Sequence, residues 1–231
     1  MNRKEKFANG EVYHIFNRGV EKRVVFLDDR DYLRFLHGAA EFNNQARAEN
    51  IYYKKEHVNS YEVKPRKMLI KQNMLVEILA FTLLPNHYHL LLRQNSDGGI
   101  SEFMQKLGTG YTMYFNKKHG RVGSLFQGTF KSKRIGNDGY EIHIPHYIHL
   151  NILDVIRPGW KKSGLILSDA LLLRLANYQW SSLGDYIGKN RYSSLLARKT
   201  IEELFPTGKT YVGSLKEMLA NPDQDYHPYE V

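Results

Sequence analysis

Leu84-Pro85-Asn86-His87-Tyr88-His89-Leu90-Leu91-Leu92-Arg93 decides how this chain is read. Pro85-Asn86 is a turn signal, because proline presets φ and asparagine tolerates tight backbone conformations. The segments on either side, residues 75–83 and 87–92, are short and rich in strand-favouring residues, so they predict two neighbouring strands of one sheet. Side chains alternate along a strand, which puts His87 and His89 on one face and Tyr88 on the other. Two neutral imidazoles side by side can share one divalent metal ion. Two histidines are also an incomplete coordination set, and spacing alone favours satisfied polar residues on a half-exposed strand, so a metal site needs ligands from elsewhere in the chain.

The bulk composition narrows the function. At 231 residues the chain is long enough for one sizeable core, or one core with an appendage. Hydrophobic residues at 42% and charged residues at 25% are ordinary for a globular protein. The charge balance is not: 33 Lys+Arg against 24 Asp+Glu gives +9, which favours a polyanionic partner, nucleic acid before an anionic membrane surface. With no cysteine there is neither a disulfide framework nor a thiolate metal site. The charged start Met1-Asn2-Arg3-Lys4-Glu5-Lys6 leads into no apolar h-region, and no apolar run approaches membrane-spanning length. The expectation is a cytoplasmic protein that handles nucleic acid, with no membrane partner.

Working outward, residues 11–18 alternate as a strand ended by Gly19. Asp28-Asp29 opens a helix to about Ala48, with Tyr32, Phe35, Leu36 and Ala39 on one side. Residues 49–73 are polar and basic, from Lys54 to Lys71, and suggest an inserted surface loop or hairpin. Ser101 is a plausible N-cap for a helix through Lys118 that His119-Gly120 ends. Residues 124–135 predict a strand with Lys131 and Lys133 on one face. A helix over residues 140–156 follows, with Ile144, Ile148, Ile152 and Val155 as its apolar stripe and Pro158-Gly159 behind it. Tyr178-Gln179-Trp180-Ser181-Ser182 is an aromatic anchor onto the core. Short helices are expected near 200–204 and 214–219, and residues 221–231 form a loose tail. The order β-α-β-β-α-β-α is not the alternation of a doubly wound sheet; it predicts an α+β sandwich with helices on one face of a mainly antiparallel sheet.

On the helix from Tyr140, residues four apart share a face, which places Tyr147 and Asn151 together beside the apolar stripe. An amide oxygen is a hard donor that suits Mg²⁺ or Mn²⁺ next to imidazole, and a tyrosine hydroxyl near a cation is a possible nucleophile. Tyr111 and Tyr114 compete for that role, His143 is within one turn, and spacing alone does not choose among them. With 16 tyrosines in the chain, most are amphipathic residues whose tips simply hydrogen-bond.

Four stretches together resemble the single-tyrosine HUH transposases (the IS200-like transposases), and within them the REP-associated tyrosine transposase group. They are residues 13–19, the 84–91 stretch quoted above, residues 114–121 leading to Leu125-Phe126-Gln127-Gly128, and Tyr147-Ile148-His149-Leu150-Asn151, with Trp180-Ser181-Ser182 as a downstream landmark. The resemblance covers residues 11 to about 187; after Asn151 this chain has Ile152-Leu153-Asp154 where the group has Asn-Pro-Val-Arg. It implies a ferredoxin-like core in residues 1–187 and a C-terminal extension over 188–231. It also implies His87, His89 and Asn151 as metal ligands, Mg²⁺ or Mn²⁺ as the metal, and Tyr147 as nucleophile. The activity implied is metal-dependent nicking and strand transfer of single-stranded, hairpin-containing DNA through a 5′-phosphotyrosine. A homodimer is possible.

Charge nominates Lys117, Lys118, Arg121, Lys131, Lys133 and Arg134 as the DNA-binding groove, with residues 54–71 as a second arm; for any single lysine a solvated face is the simpler reading. Two rival classes stand beside this one. A non-catalytic hairpin-binding protein on the same fold would bind DNA in a salt-dependent way without nicking it. A zinc hydrolase built on His87 and His89 is disfavoured by the net charge and by the lack of a third histidine or carboxylate at ligand spacing.

Overall fold

The computed structural model describes residues 6–45, 74–136, 143–160 and 165–220. The basic insert expected at 49–73, the helix start at Tyr140 and the tail from Asn221 lie outside the described residues.

Strand β1 spans Val12–Arg18, and helix α1 spans Asp29–Phe42. The Asp28 carboxylate accepts from the Asp31 N–H at 3.1 Å, so the acidic pair caps the helix as its position predicts. The helix stops at Phe42, short of Ala48. Asn43 leaves helical geometry and clamps the backbone of Val76 through both ends of its amide, at 2.8 and 2.9 Å. That buried pair of hydrogen bonds outcompetes another helical turn.

Strands β2 (Val76–Leu84) and β3 (His87–Gln94) form the hairpin expected around Pro85-Asn86. Helix α2 runs from Gly99 to Lys118, so Ser101 lies inside its first turn and the cap falls on Gly98. It ends at His119, followed by Gly120 at φ 61°, where a side chain would be strained. Helices α1 and α2 approach closely at Gly110, where a Cβ would stand 2.7 Å from the Phe42 ring.

The strand expected over 124–135 is shorter: β4 is Lys131–Arg134. Its first half is taken instead by loop pairings that tie it to the hairpin end. Gln127 N–H donates to Arg18 O, Val20 N–H to Leu125 O, and Asn17 Nδ2 to Gly128 O. The helix expected over 140–156 is broken into α3 (His143–Leu150) and a single turn, α4 (Leu153–Ile156), with a turn at Asn151-Ile152 between them. Val155, placed in the apolar stripe by periodicity, is 43% exposed because that turn rotates it outward. Pro145 is the third residue of the described part of α3.

Helix α5 (Asp169–Asn177) has no sequence forecast. Helices α6 (Leu183–Tyr186), α7 (Arg198–Leu204) and α8 (Gly208–Ala220) complete the described chain. The last is longer than the short helix predicted at 214–219.

The sheet order is β2-β3-β1-β4, and every neighbouring pair is antiparallel. This is the ferredoxin-like α+β arrangement that the resemblance implies, but helices cover both faces of the sheet rather than the one face expected from the order of elements, because α3 returns to the side opposite α1 and α2. Register decides the faces. Tyr13, Ile15, Tyr88, Leu90 and Leu92 share the face covered by α1 and α2, where the Phe35 ring meets Tyr88 at 5.1 Å and Tyr111 at 5.2 Å. His14, Phe16, His87 and His89 occupy the opposite face, and α3 packs there.

The 178–182 anchor runs along β2. Leu83 N–H donates to Trp180 O, Ser182 N–H to Phe81 O, and the Trp180 ring stacks on Tyr32 at 4.5 Å. Residues beyond 187 also pack on the sheet: Ala197 N–H donates to Ile78 O, and the Tyr192 ring meets Phe81 at 5.1 Å. No helix among the described residues is long and apolar enough to cross a membrane.

Candidate active site

His87 opens β3 directly after the turn, and His89 follows on the same face with its ring centroid 5.1 Å from that of His87. Both are buried, at 5% and 0% exposure, against 3% for Tyr147. The His87 ring is oriented by its predecessor: Nδ1 lies 2.6 Å from Asn86 Oδ1. An amide oxygen only accepts, so the proton sits on Nδ1 and the Nε2 lone pair is the one that can bind a cation.

From the opposite layer, α3 delivers Tyr147 onto the same sheet face. Its ring stands edge-on to His89 at 6.0 Å and to His14 at 5.8 Å between centroids. Asn151 sits at the turn where α3 ends, and its Nδ2 donates back to Tyr147 O at 2.8 Å. That bond fixes which end of the amide is the oxygen, and it links Asn151 to the tyrosine through the backbone. The four residues that the sequence joins only by resemblance thus come from two layers. Ring contacts run from His87 to His89 and from His89 to Tyr147, whereas the bond of Asn151 ties it only to the backbone of its own helix.

Competing residues lie elsewhere. The Tyr111 hydroxyl donates to Val25 O at 2.5 Å in the α1–α2 layer, and burial pushes its phenol well above its ordinary value. Tyr114 hydrogen-bonds Asp31 at 3.1 Å in the same layer. The ring of His143 has His146 as a neighbour at 6.3 Å.

The proposed DNA-contacting side chains divide between the layers. Lys131 and Lys133 pair in register with Phe16 and His14, so both extend on the histidine face, and Lys131 Nζ lies 5.9 Å from the Phe16 ring centroid. Arg134 has the other parity and ion-pairs with Glu11 at 2.9 Å. Lys118 is committed to Asp28 and Asp31, each at 2.7 Å. Arg121 donates to Asn116 Oδ1 at 3.0 Å, and Lys117 is exposed at the end of α2. These last three belong to the α1–α2 layer.

Sequence reading missed His14. It is wholly buried, and its Nε2 lies 2.9 Å from His89 Nδ1 with the two rings stacked. Burial, reinforced by the nearby Lys133 charge, pushes His14 down to about 3, so it is neutral at physiological pH. Its strand parity was legible. Its meeting with His89 was not, because that depends on the register of β1 against β3. His14 is directly opposite Leu91, so His89 is its diagonal neighbour, a separation that aromatic rings can bridge. Arg18, directly opposite His87, was likewise unnamed.

Among the described residues, no group of three or more His, Cys, Asp or Glu side chains is arranged to hold a metal. A cation here would rest on a mixed set: the imidazoles of His87 and His89 and the amide oxygen of Asn151. Two nitrogens and one hard oxygen, with positions left over for water or phosphate oxygens, fit a weakly held Mg²⁺ or Mn²⁺.

No curated protein matches the chain. Among solved structures, that of a REP-associated tyrosine transposase bound to a REP hairpin aligns with a TM-score of 0.49 at 14% identity, covering 85% of this chain and 91% of that one. Residues 40–151 match the family described as "Transposase IS200 like". The matched segment holds both histidines of β3, the tyrosine that meets His89 and the asparagine that follows, and over that segment the chain is similar to the IS200-like transposases.

Proposed function

We propose that this protein nicks and rejoins single-stranded DNA through a covalent bond to Tyr147, with a divalent ion, Mg²⁺ or Mn²⁺, held by His87, His89 and Asn151. The family match supports a transposase-type role in DNA processing. The observation that carries the finer reading is the convergence of Tyr147, from α3, on His89 and His14, with 6.0 and 5.8 Å between ring centroids.

In this reading Tyr147 Oη attacks the scissile phosphorus in line with the 3′ oxygen. The new Tyr Oη–P bond forms as the P–O3′ bond breaks. The phenol proton passes to solvent, and the departing 3′ oxygen takes up a proton. The products are a 5′-phosphotyrosyl protein and a free 3′-OH. The phosphoester energy is retained, so a second 3′-OH can reverse the step onto another strand without ATP. A bound divalent ion supplies Lewis-acid neutralisation of the phosphate charge. Asn151 ties the loop end of α3 to the backbone of Tyr147 and so keeps the nucleophile and the amide oxygen in fixed relation. Lys131 and Lys133 extend along the same face, where they would hold the strand leading into the site. A hairpin as the recognised form of the DNA follows from the sequence resemblance.

The test is to incubate labelled single-stranded hairpin DNA with Mn²⁺ and the protein, then to look for an SDS-resistant adduct. Wild type forms the adduct and Tyr147→Phe does not. An adduct persisting in Tyr147→Phe overturns the assignment of the nucleophile. Tight hairpin binding by wild type with no adduct selects the non-catalytic binder instead.

A further inference from the structure

We propose that His14 is a positioning residue for the metal site: its Nε2 accepts the Nδ1–H of His89 and thereby turns the Nε2 lone pair of His89 toward the cation. This rests on the metal reading above.

The bond joining the two rings is 2.9 Å long and fully buried. Such a pair has two possible proton arrangements. If His14 were the donor, the His89 proton would sit on Nε2, and His89 could not ligate through that atom. If His89 is the donor, its Nδ1 carries the proton and Nε2 carries the lone pair, the same tautomer that Asn86 imposes on His87. Both β3 histidines then present Nε2, each braced at Nδ1 by an acceptor: the Asn86 amide oxygen in the hairpin turn for His87, and the His14 ring on β1 for His89. Partners that brace a ligand in this way typically contribute about 10–100-fold to metal affinity. The edge contact of His14 with the Tyr147 ring puts the same residue against the nucleophile, so one β1 side chain sets the spacing of both groups.

The tautomer is read directly. Long-range ¹H–¹⁵N correlation of the Mg²⁺-loaded protein should show His89 protonated at Nδ1; protonation at Nε2 overturns the proposal whatever the behaviour of any variant. In parallel, Mn²⁺ affinity is measured by electron paramagnetic resonance on the full chain without DNA. His14→Phe keeps a buried ring but no acceptor and should weaken Mn²⁺ binding about 10–100-fold. His14→Gln places an amide oxygen near the Nε2 position and should recover most of that loss. Hairpin binding without metal should be unchanged in both variants, which a general packing role for His14 would not predict. Unchanged Mn²⁺ affinity in a folded His14→Phe overturns this inference alone, whereas wild-type protein that binds no Mn²⁺ overturns the metal reading beneath it as well.

Discussion

Removing the Tyr211 hydroxyl by Tyr211→Phe tests whether α8 holds the helix that carries Tyr147. Tyr211 is wholly buried, and its hydroxyl lies 2.5 Å from Nδ1 of His149, two residues beyond Tyr147 on α3. The other nitrogen of His149 lies 2.7 Å from Ser182 Oγ, which in turn accepts the Phe81 N–H of β2 at 2.9 Å. Burial holds His149 well below its ordinary value and the Tyr211 phenol well above its own, so both are neutral. With the phenol as donor, His149 Nε2–H donates to Ser182, and Ser182 can donate to Phe81 O at 3.2 Å. The chain of bonds is complete from α8 through α3 to β2.

Tyr211→Phe deletes one oxygen and leaves no cavity to speak of, so its cost is the unsatisfied His149 nitrogen, about 1–3 kcal/mol. For a chain of this size that corresponds to a melting temperature lower by about 2–4 °C per kcal/mol. Thermal unfolding followed by circular dichroism measures it, with Ser182→Ala and the double variant completing a cycle. The two losses should be non-additive, because both act on one imidazole. A melting point within 1 °C of wild type (about the error of the method, and well under the shift expected from an orphaned buried group) would show that α8 does not brace α3 in this way.

The remaining predictions concern pH and DNA. His14, with a folded value of about 3, and His149, held well below its ordinary value, both lie below their unfolded values, so as pH drops below 6.5 the unfolded chain binds more protons than the native one. Stability is therefore full above pH 6.5 and falls as pH drops, at up to about 1.4 kcal/mol per pH unit for each histidine; denaturant melts at pH 7 and pH 5.5 check this, and equal stability at both refutes it. Lys131→Ala and Lys133→Ala should each weaken single-stranded DNA binding and reduce the salt-dependence slope by about 0.7 for each phosphate left without its lysine. Arg134→Ala, on the other parity and paired with Glu11, should change that slope less; equal slopes for all three variants would place the strand elsewhere.

What the sequence determined by itself is local. Pro85-Asn86 between two apolar runs forced a hairpin, and the period of two put His87 and His89 on one face whatever lay around them. Asp28 capped α1, and His119-Gly120 stopped α2, because these signals act through the backbone of the next few residues. Where local rules ran on unchecked they overshot: α1 was carried to Ala48 and one helix was drawn through Asn151, since periodicity does not register a buried amide clamp or a turn.

Tertiary structure alone decided the rest. Strand register set His14 diagonally against His89, and no spacing of 75 residues encodes that. Layer packing brought α3 to the histidine face and left Tyr111 and Tyr114 on the other, a choice that identical amphipathic patterns do not make. Lys118, Arg134 and Lys131 looked alike as charges in a line. Only the fold, by supplying Asp28 and Asp31 to one, Glu11 to another and the Phe16 ring to the third, made them physically different.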